Sequence, residues 1–254
     1  MLGKVQSVSD TSLIKWLCQA LVYSLSSLSV LKLRPIREEL FNQLESAGVR
    51  SLGLVGAIGI LSGILIIDQS VRMVGAAGEV PIKLLGWTLF GEAGALAVGF
   101  LVAAKVAPSM GADLALMRFR GELKHLAAIN ISVADYLVVP RAMALIFVSA
   151  LLSVYFMACA LLGGMLIASF LRDFSFLHQL GRFFEIVNPL SMLIAMLKCS
   201  LFGGVVALVS CYQGLVVERD AKRLSEAGSE ALTRSLLVLG LIDVAAMMIS
   251  ALIE

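Results

Sequence analysis

The chain has 254 residues, 59% of them hydrophobic and only 15% charged, with a formal net charge of +2. Soluble domains carry about 25% charged residues, and a mean hydropathy of +0.96 leaves little room for one here. These values exclude a soluble globular enzyme and point to an all-α integral membrane protein, since apolar runs of about 20 residues cross a bilayer as helices.

Cys18, Cys159, Cys199 and Cys211 all lie in apolar stretches and form no C-x-x-C pair. They read as small buried hydrophobes. His125 and His178 are far apart in sequence, so no metal site is expected. Nothing in the charge distribution asks for nucleic acid as a partner.

Residues 11–33, TSLIKWLCQALVYSLSSLSVLKL, are apolar but rich in serine. They suit a helix lying in the membrane interface better than a span, with Trp16 and Tyr23 at headgroup depth. The run ends in LKLRPIREEL without a small-residue cleavage site, so no cleavable signal peptide is expected. Residues 34–47 read as a short polar helix, completing an interfacial element over 11–47.

Five spans come next, at 49–74, 84–107, 138–170, 189–216 and 235–253. The first carries Gly59 and Gly63, a G-x-x-x-G step that lets another helix approach closely. Between the second and third lies a polar segment, 108–136. Within it Gly111 to Leu126 reads as one helix, with Arg118 and Glu122 as an i,i+4 pair. Residues 171–187 space Phe174, Leu177 and Phe184 as an amphipathic surface helix on the outer side. A polar loop, VERDAKRLSEAGSEALTR, precedes the last span.

An odd number of spans puts the two ends on opposite sides. The N-terminal side holds most cations, from Lys4 through Arg50, Lys105, Arg118, Arg120 and Lys124 to Arg234; the other side holds Arg72, Lys83, Arg172 and Arg182. The positive-inside rule therefore makes the N-terminus and the 108–136 segment cytoplasmic.

No G-x-x-x-x-G-K-[ST], G-x-S-x-G or H-E-x-x-H motif is present, so the chain has no phosphate loop of its own. Ionisable groups inside spans are the better lead, because they are costly there. Asp68 and Arg72 are spaced as an i,i+4 pair at the outer end of the first span. Glu92 begins EAGALAVGF in the second, and Lys105 lies near that helix's inner end, where it can snorkel. Lys198 in the fourth span and Asp243 in the fifth are of opposite sign; they either pair in the bundle core or line a wet cavity.

The run from Glu92 to Arg141 resembles the MlaE/YrbE permease family, the membrane subunits of ABC-type lipid transporters that work with MCE proteins. Glu92 and Gly94 match its E-L-G-P element. Gly111, Asp113, Leu114, Met117 and Glu122 match its A-E-L-G-x-M-x-x-x-E-Q segment, and Pro140-Arg141 its closing P-R. AGVRSLGLVGAIGILSGILIIDQ and LKCSLFGG extend the likeness to about residues 40–250, with Ala95 where the family has Pro and Lys105 where it has Arg.

The resemblance implies a permease in the bacterial inner membrane, N-terminus cytoplasmic and C-terminus periplasmic, paired with a second copy of itself. It implies a cytoplasmic ATPase dimer that binds the ATP, no cofactor in this chain, and an MCE-protein hexamer on the periplasmic side. The 108–136 segment would be the coupling helix, with Asp113, Met117, Arg118 and Glu122 facing the ATPase. Asp68, Gln69, Glu92 and Lys198 would meet lipid. The rival reading is a self-contained secondary transporter or ion channel using Glu92, Lys198 and Asp243; inverted repeats and broken helices would favour it, and no repeat is seen. A non-transporting scaffold subunit that anchors an ATPase is a third.

Overall fold

The computed structural model describes residues 43–74, 80–128, 133–172, 189–216 and 221–253. The expected interfacial helix over 11–33, and almost all of the outer amphipathic segment 171–187, lie outside these residues.

A helical stretch from Gln43 passes through a 3-10 turn, Val49–Ser51, into α1, Leu52–Val74. Then come α2, Val80–Phe90, α3, Glu92–Phe119, and the short α4, Glu122–Ala128. A π-helical turn, Ala134–Val138, leads into α5, Val139–Arg172. Last are α6, Pro189–Val216, and α7, Ala221–Ile253. Pro81 and Pro189 each fall in a first helical turn, where the missing N–H has no intrahelical partner to lose, and Pro140 lies just past the π-helical turn.

Five helical stretches are long and apolar enough to cross a membrane: Gln43–Met73, Ala93–Phe119, Tyr136–Leu166, Leu190–Val216 and Glu226–Met248. The protein is an all-α membrane protein with five such helices and, among the described residues, no strand.

The helices pack as a row: α1 on α5, α5 on α6, α6 on α3, and α7 against both α3 and α6. Small residues make the contacts intimate. A Cβ on Gly63 would overlap the Ala160 carbonyl, and one on Gly163 would lie 2.5 Å from the carbonyl oxygen of Ile60. The α1 and α5 backbones therefore touch, as the G-x-x-x-G step suggested. Phe156, Leu145, Phe202, Leu208 and Leu239 fill the core between the other helices.

Three expectations need correction. The second span is not one helix over 84–107, because the chain breaks at Gly91, between α2 and α3. A Cβ on Gly94 would overlap the Leu89 carbonyl, a closeness that the small residues at this bend allow.

Second, Gly111 to Leu126 is not a single helix. α3 continues through Pro108 to Phe119, and the chain turns at Gly121, whose φ of 81° suits glycine because it has no Cβ. Arg118 and Glu122 therefore lie on either side of a turn and not on one helix, and Glu122 approaches Arg120 at 3.8 Å.

Third, the loop expected before the last span is largely helix, since α7 begins at Ala221. Ala227, Gly228 and Ala231 form its buried stripe, with Gly228 over Pro108 and Ala231 over Gly111 of α3. Packing on small side chains holds this polar stretch helical.

Candidate functional site

α6 brings Lys198 and α7 brings Asp243 to the same height in the bundle. Nζ and Oδ1 lie 2.7 Å apart, a close ion pair that lacks the angular alignment of a hydrogen bond. The Asp243 side chain is 3% exposed and that of Lys198 17%. The ammonium also sits 5.6 Å from the centre of the Phe202 ring, within cation–π range. One residue on, the Cys199 thiol donates to the Ala95 carbonyl of α3 at 3.7 Å. Three helices thus meet here, and Ala95 is in the first turn of α3, which Glu92 opens just after the Gly91 break.

Around this pair the surface is apolar. Leu197 and Leu201 of α6 and Leu241 and Val244 of α7 are exposed. The arrangement is a partly reachable cation, a buried carboxylate and an apolar rim.

The other lipid-contact candidates lie apart. Asp68 and Arg72 pair at 2.9 Å at the exposed C-terminal end of α1, beside exposed Gln69. α1 packs on α5 and α2, and no substantial contact joins it to α6 or α7 among the described residues. Within one chain, then, Asp68 and Gln69 do not converge with Lys198. Lys105 reaches sideways, its ammonium donating to the Arg50 carbonyl at the foot of α1.

The four coupling candidates share the opposite end of the molecule. Asp113 is exposed, Arg118 half-buried and Met117 packed against the core, all in the last turns of α3; Glu122 is exposed at the start of α4. α4 holds itself to the bundle through Leu123 and Leu126 and turns Glu122, Lys124 and His125 outward. Among the described residues no group of three His, Cys, Asp or Glu side chains could hold a metal.

Sequence reasoning passed over a buried polar layer above this end. Arg141 of α5 is 2% exposed and lies against Cys211 of α6. Gln213 is equally buried, with its amide nitrogen lacking a partner, and the hydroxyls of Ser210 and Ser235 are 3.5 Å apart between α6 and α7. Arg141 entered as one of the charges on the N-terminal side and as part of a P-R element, not as a buried group; its place at the edge of a long apolar run was the available signal.

Comparison with known proteins fits this geometry. The chain is 26% identical over 243 residues to the "Probable ABC transporter permease protein RP096" of Rickettsia prowazekii, covering 92% of this chain and 93% of that protein. It is 25% identical over 219 residues to the "Probable ABC transporter permease protein slr1045" of a Synechocystis species, covering 84% and 81%. It is 22% identical over 203 residues to "Protein TRIGALACTOSYLDIACYLGLYCEROL 1, chloroplastic" of Arabidopsis thaliana, covering 79% of this chain and 58% of that protein. The family model described as Permease MlaE matches residues 40–249, so a bundle of five apolar helices with an internal charge pair and no phosphate loop belongs to the MlaE permease family.

Proposed function

We propose that this permease subunit moves phospholipid or a related lipid between the bacterial inner membrane and an MCE-protein conduit, driven by ATP bound to a separate cytoplasmic ATPase. The observation that carries the lipid assignment is the Lys198–Asp243 pair: a cation 17% exposed at the edge of an apolar face, with its counter-charge sealed behind it. A phosphate headgroup can approach the ammonium as a point charge while acyl chains lie on Leu197, Leu201 and Leu241. One relative is named for a galactolipid, which supports a glycerolipid class of substrate.

In this reading two copies pair, so that Asp68, Gln69 and Glu92 line the lipid path with Lys198. The end carrying Asp113, Met117, Arg118 and Glu122 faces the cytoplasm and receives motion from the ATPase dimer; an MCE hexamer receives or delivers lipid on the periplasmic face. The balance of cations between the two sides supports this orientation.

The break at Gly91 favours the rival, a secondary transporter, since interrupted helices often build ion sites. One experiment separates the two. The permease is purified with its partners, reconstituted in phospholipid vesicles, and assayed for lipid transfer with and without ATP. The wild type transfers lipid only with ATP. The double variant Lys198→Met with Asp243→Leu keeps the bundle folded and loses transfer. Wild-type transfer by that variant removes the pair from the lipid path, and ATP-independent ion flux without lipid transfer establishes the rival.

A further inference from the structure

Among the described residues, the polar end of the molecule carries an exposed aromatic side chain, Phe119, that the packing does not use. Along the exposed face of α3 the residues turn from Phe100 and Ala104 to Ser109 and Asp113. Apolar exposure returns at Phe119, the last residue of the helix, which is 47% exposed. Leu123 and Leu126 already seat α4 on the core, so Phe119 is not needed to hold the turn. Arg118 and Arg120 flank it in sequence, and Lys124 and His125 stand exposed on α4 just beyond, against the single carboxylate of Glu122 in this stretch. The Arg120–Glu122 contact, 3.8 Å between side chains 63% and 46% exposed, is too open to tie this end down. The turn at Gly121, with its φ of 81°, fixes where the helix stops and leaves the ring at the tip.

We infer that Phe119 is the anchor by which this chain recognises its ATPase: the ring enters an apolar pocket on the ATPase surface whose rim is acidic and faces Arg120 and Lys124. The inference rests on the reading of this segment as the coupling element. An aromatic side chain surrounded by charged neighbours is the usual composition of an interface hot spot, where the ring supplies the binding energy and the rim supplies orientation and speed of encounter. A basic rim selects an acidic one, which commits the occupant to a protein groove rather than a second copy of this equally basic tip. The pairing also gives a means of discrimination, because an ATPase lacking the pocket would leave the ring in water.

The test uses the full-length permease in detergent with the ABC ATPase that co-purifies with it. A photoreactive benzoylphenylalanine is placed at position 119 and, separately, at position 124. Both cross-link to the ATPase. Phe119→Ala weakens ATPase binding about 30-fold, while Phe119→Leu stays within a few-fold of wild type. The ring is exposed, so permease yield and melting are unchanged in both. If position 124 cross-links to the ATPase but position 119 does not, or if Phe119→Ala binds as wild type, the anchor is overturned and the coupling reading stands. If neither position reaches the ATPase, both are overturned. Cross-linking of position 119 to lipid or to a second permease copy also overturns the anchor.

Discussion

Lys198–Asp243 and Asp68–Arg72 are both contacts between a cation and an aspartate at under 3 Å, yet the bundle treats them differently. The first joins two helices and is nearly sealed. The second links two turns of one helix, with Arg72 73% and Asp68 39% exposed. Distance alone does not rank them. A buried pair holds position because breaking it strands a charge in a medium that cannot solvate it. An exposed i,i+4 pair is worth little, because both ends are stabilised without their partner.

This contrast is broken or sharpened by substitution. Asp243→Ala leaves the Lys198 ammonium without its counter-charge inside the bundle and lowers stability by about 3–5 kcal/mol, read from unfolding in mild detergent. Replacing both partners, Lys198→Met with Asp243→Leu, recovers most of that loss. If Asp243→Ala melts like wild type, burial is not what separates the two pairs.

A middle case comes from packing without charge. Gly63→Val drives side-chain atoms into the Ala160 backbone and costs about 1–3 kcal/mol by the same measurement. Gly53, in the same helix, has nothing within 4 Å of an added Cβ. Gly53→Ala therefore gains about 0.5–1 kcal/mol of helix propensity. The two glycines lie in one helix, and their substitutions are opposite in sign.

The smallest effect belongs to the Asp68–Arg72 pair. Arg72→Ala changes stability by at most about 1 kcal/mol, and the change shrinks as salt is raised from low to physiological ionic strength. A loss as large as that of Asp243→Ala would mean that Asp68 and Arg72 are buried in the working assembly, against a second copy or another protein.

Much of the fold could be read from the chain. Apolar runs bounded by polar residues marked the spans, and the spacing of Gly59 and Gly63 marked a close helix contact, though not that α5 is the partner. Lys198 and Asp243 stood out because charge in apolar sequence is rare; that they meet directly, rather than across water, needed the helix positions. The N-terminal part of α7 was hidden because Glu226, Ser229, Glu230 and Arg234 look like a solvated loop. The stripe of Ala227, Gly228 and Ala231 that makes it helical has no hydrophobic bulk to announce itself. The Gly91 break was equally silent: a glycine in an apolar run is ordinary, and only the approach of Gly94 to the Leu89 carbonyl distinguishes it. The candidate site was legible as residues but not as a grouping, since α1 lies away from α6 and α7.

The length of α3 sets a distance. From Lys105, whose amino group is fastened to the foot of α1, to Phe119 the helix climbs roughly 21 Å at ~1.5 Å per residue. α7 accompanies it, with Gly228 against Pro108 and Ala231 against Gly111, so the extension is braced and not a lone rod. In the proposed assembly, a partner seated on this tip would bear on two braced helices at once, about four turns beyond the tie at Lys105.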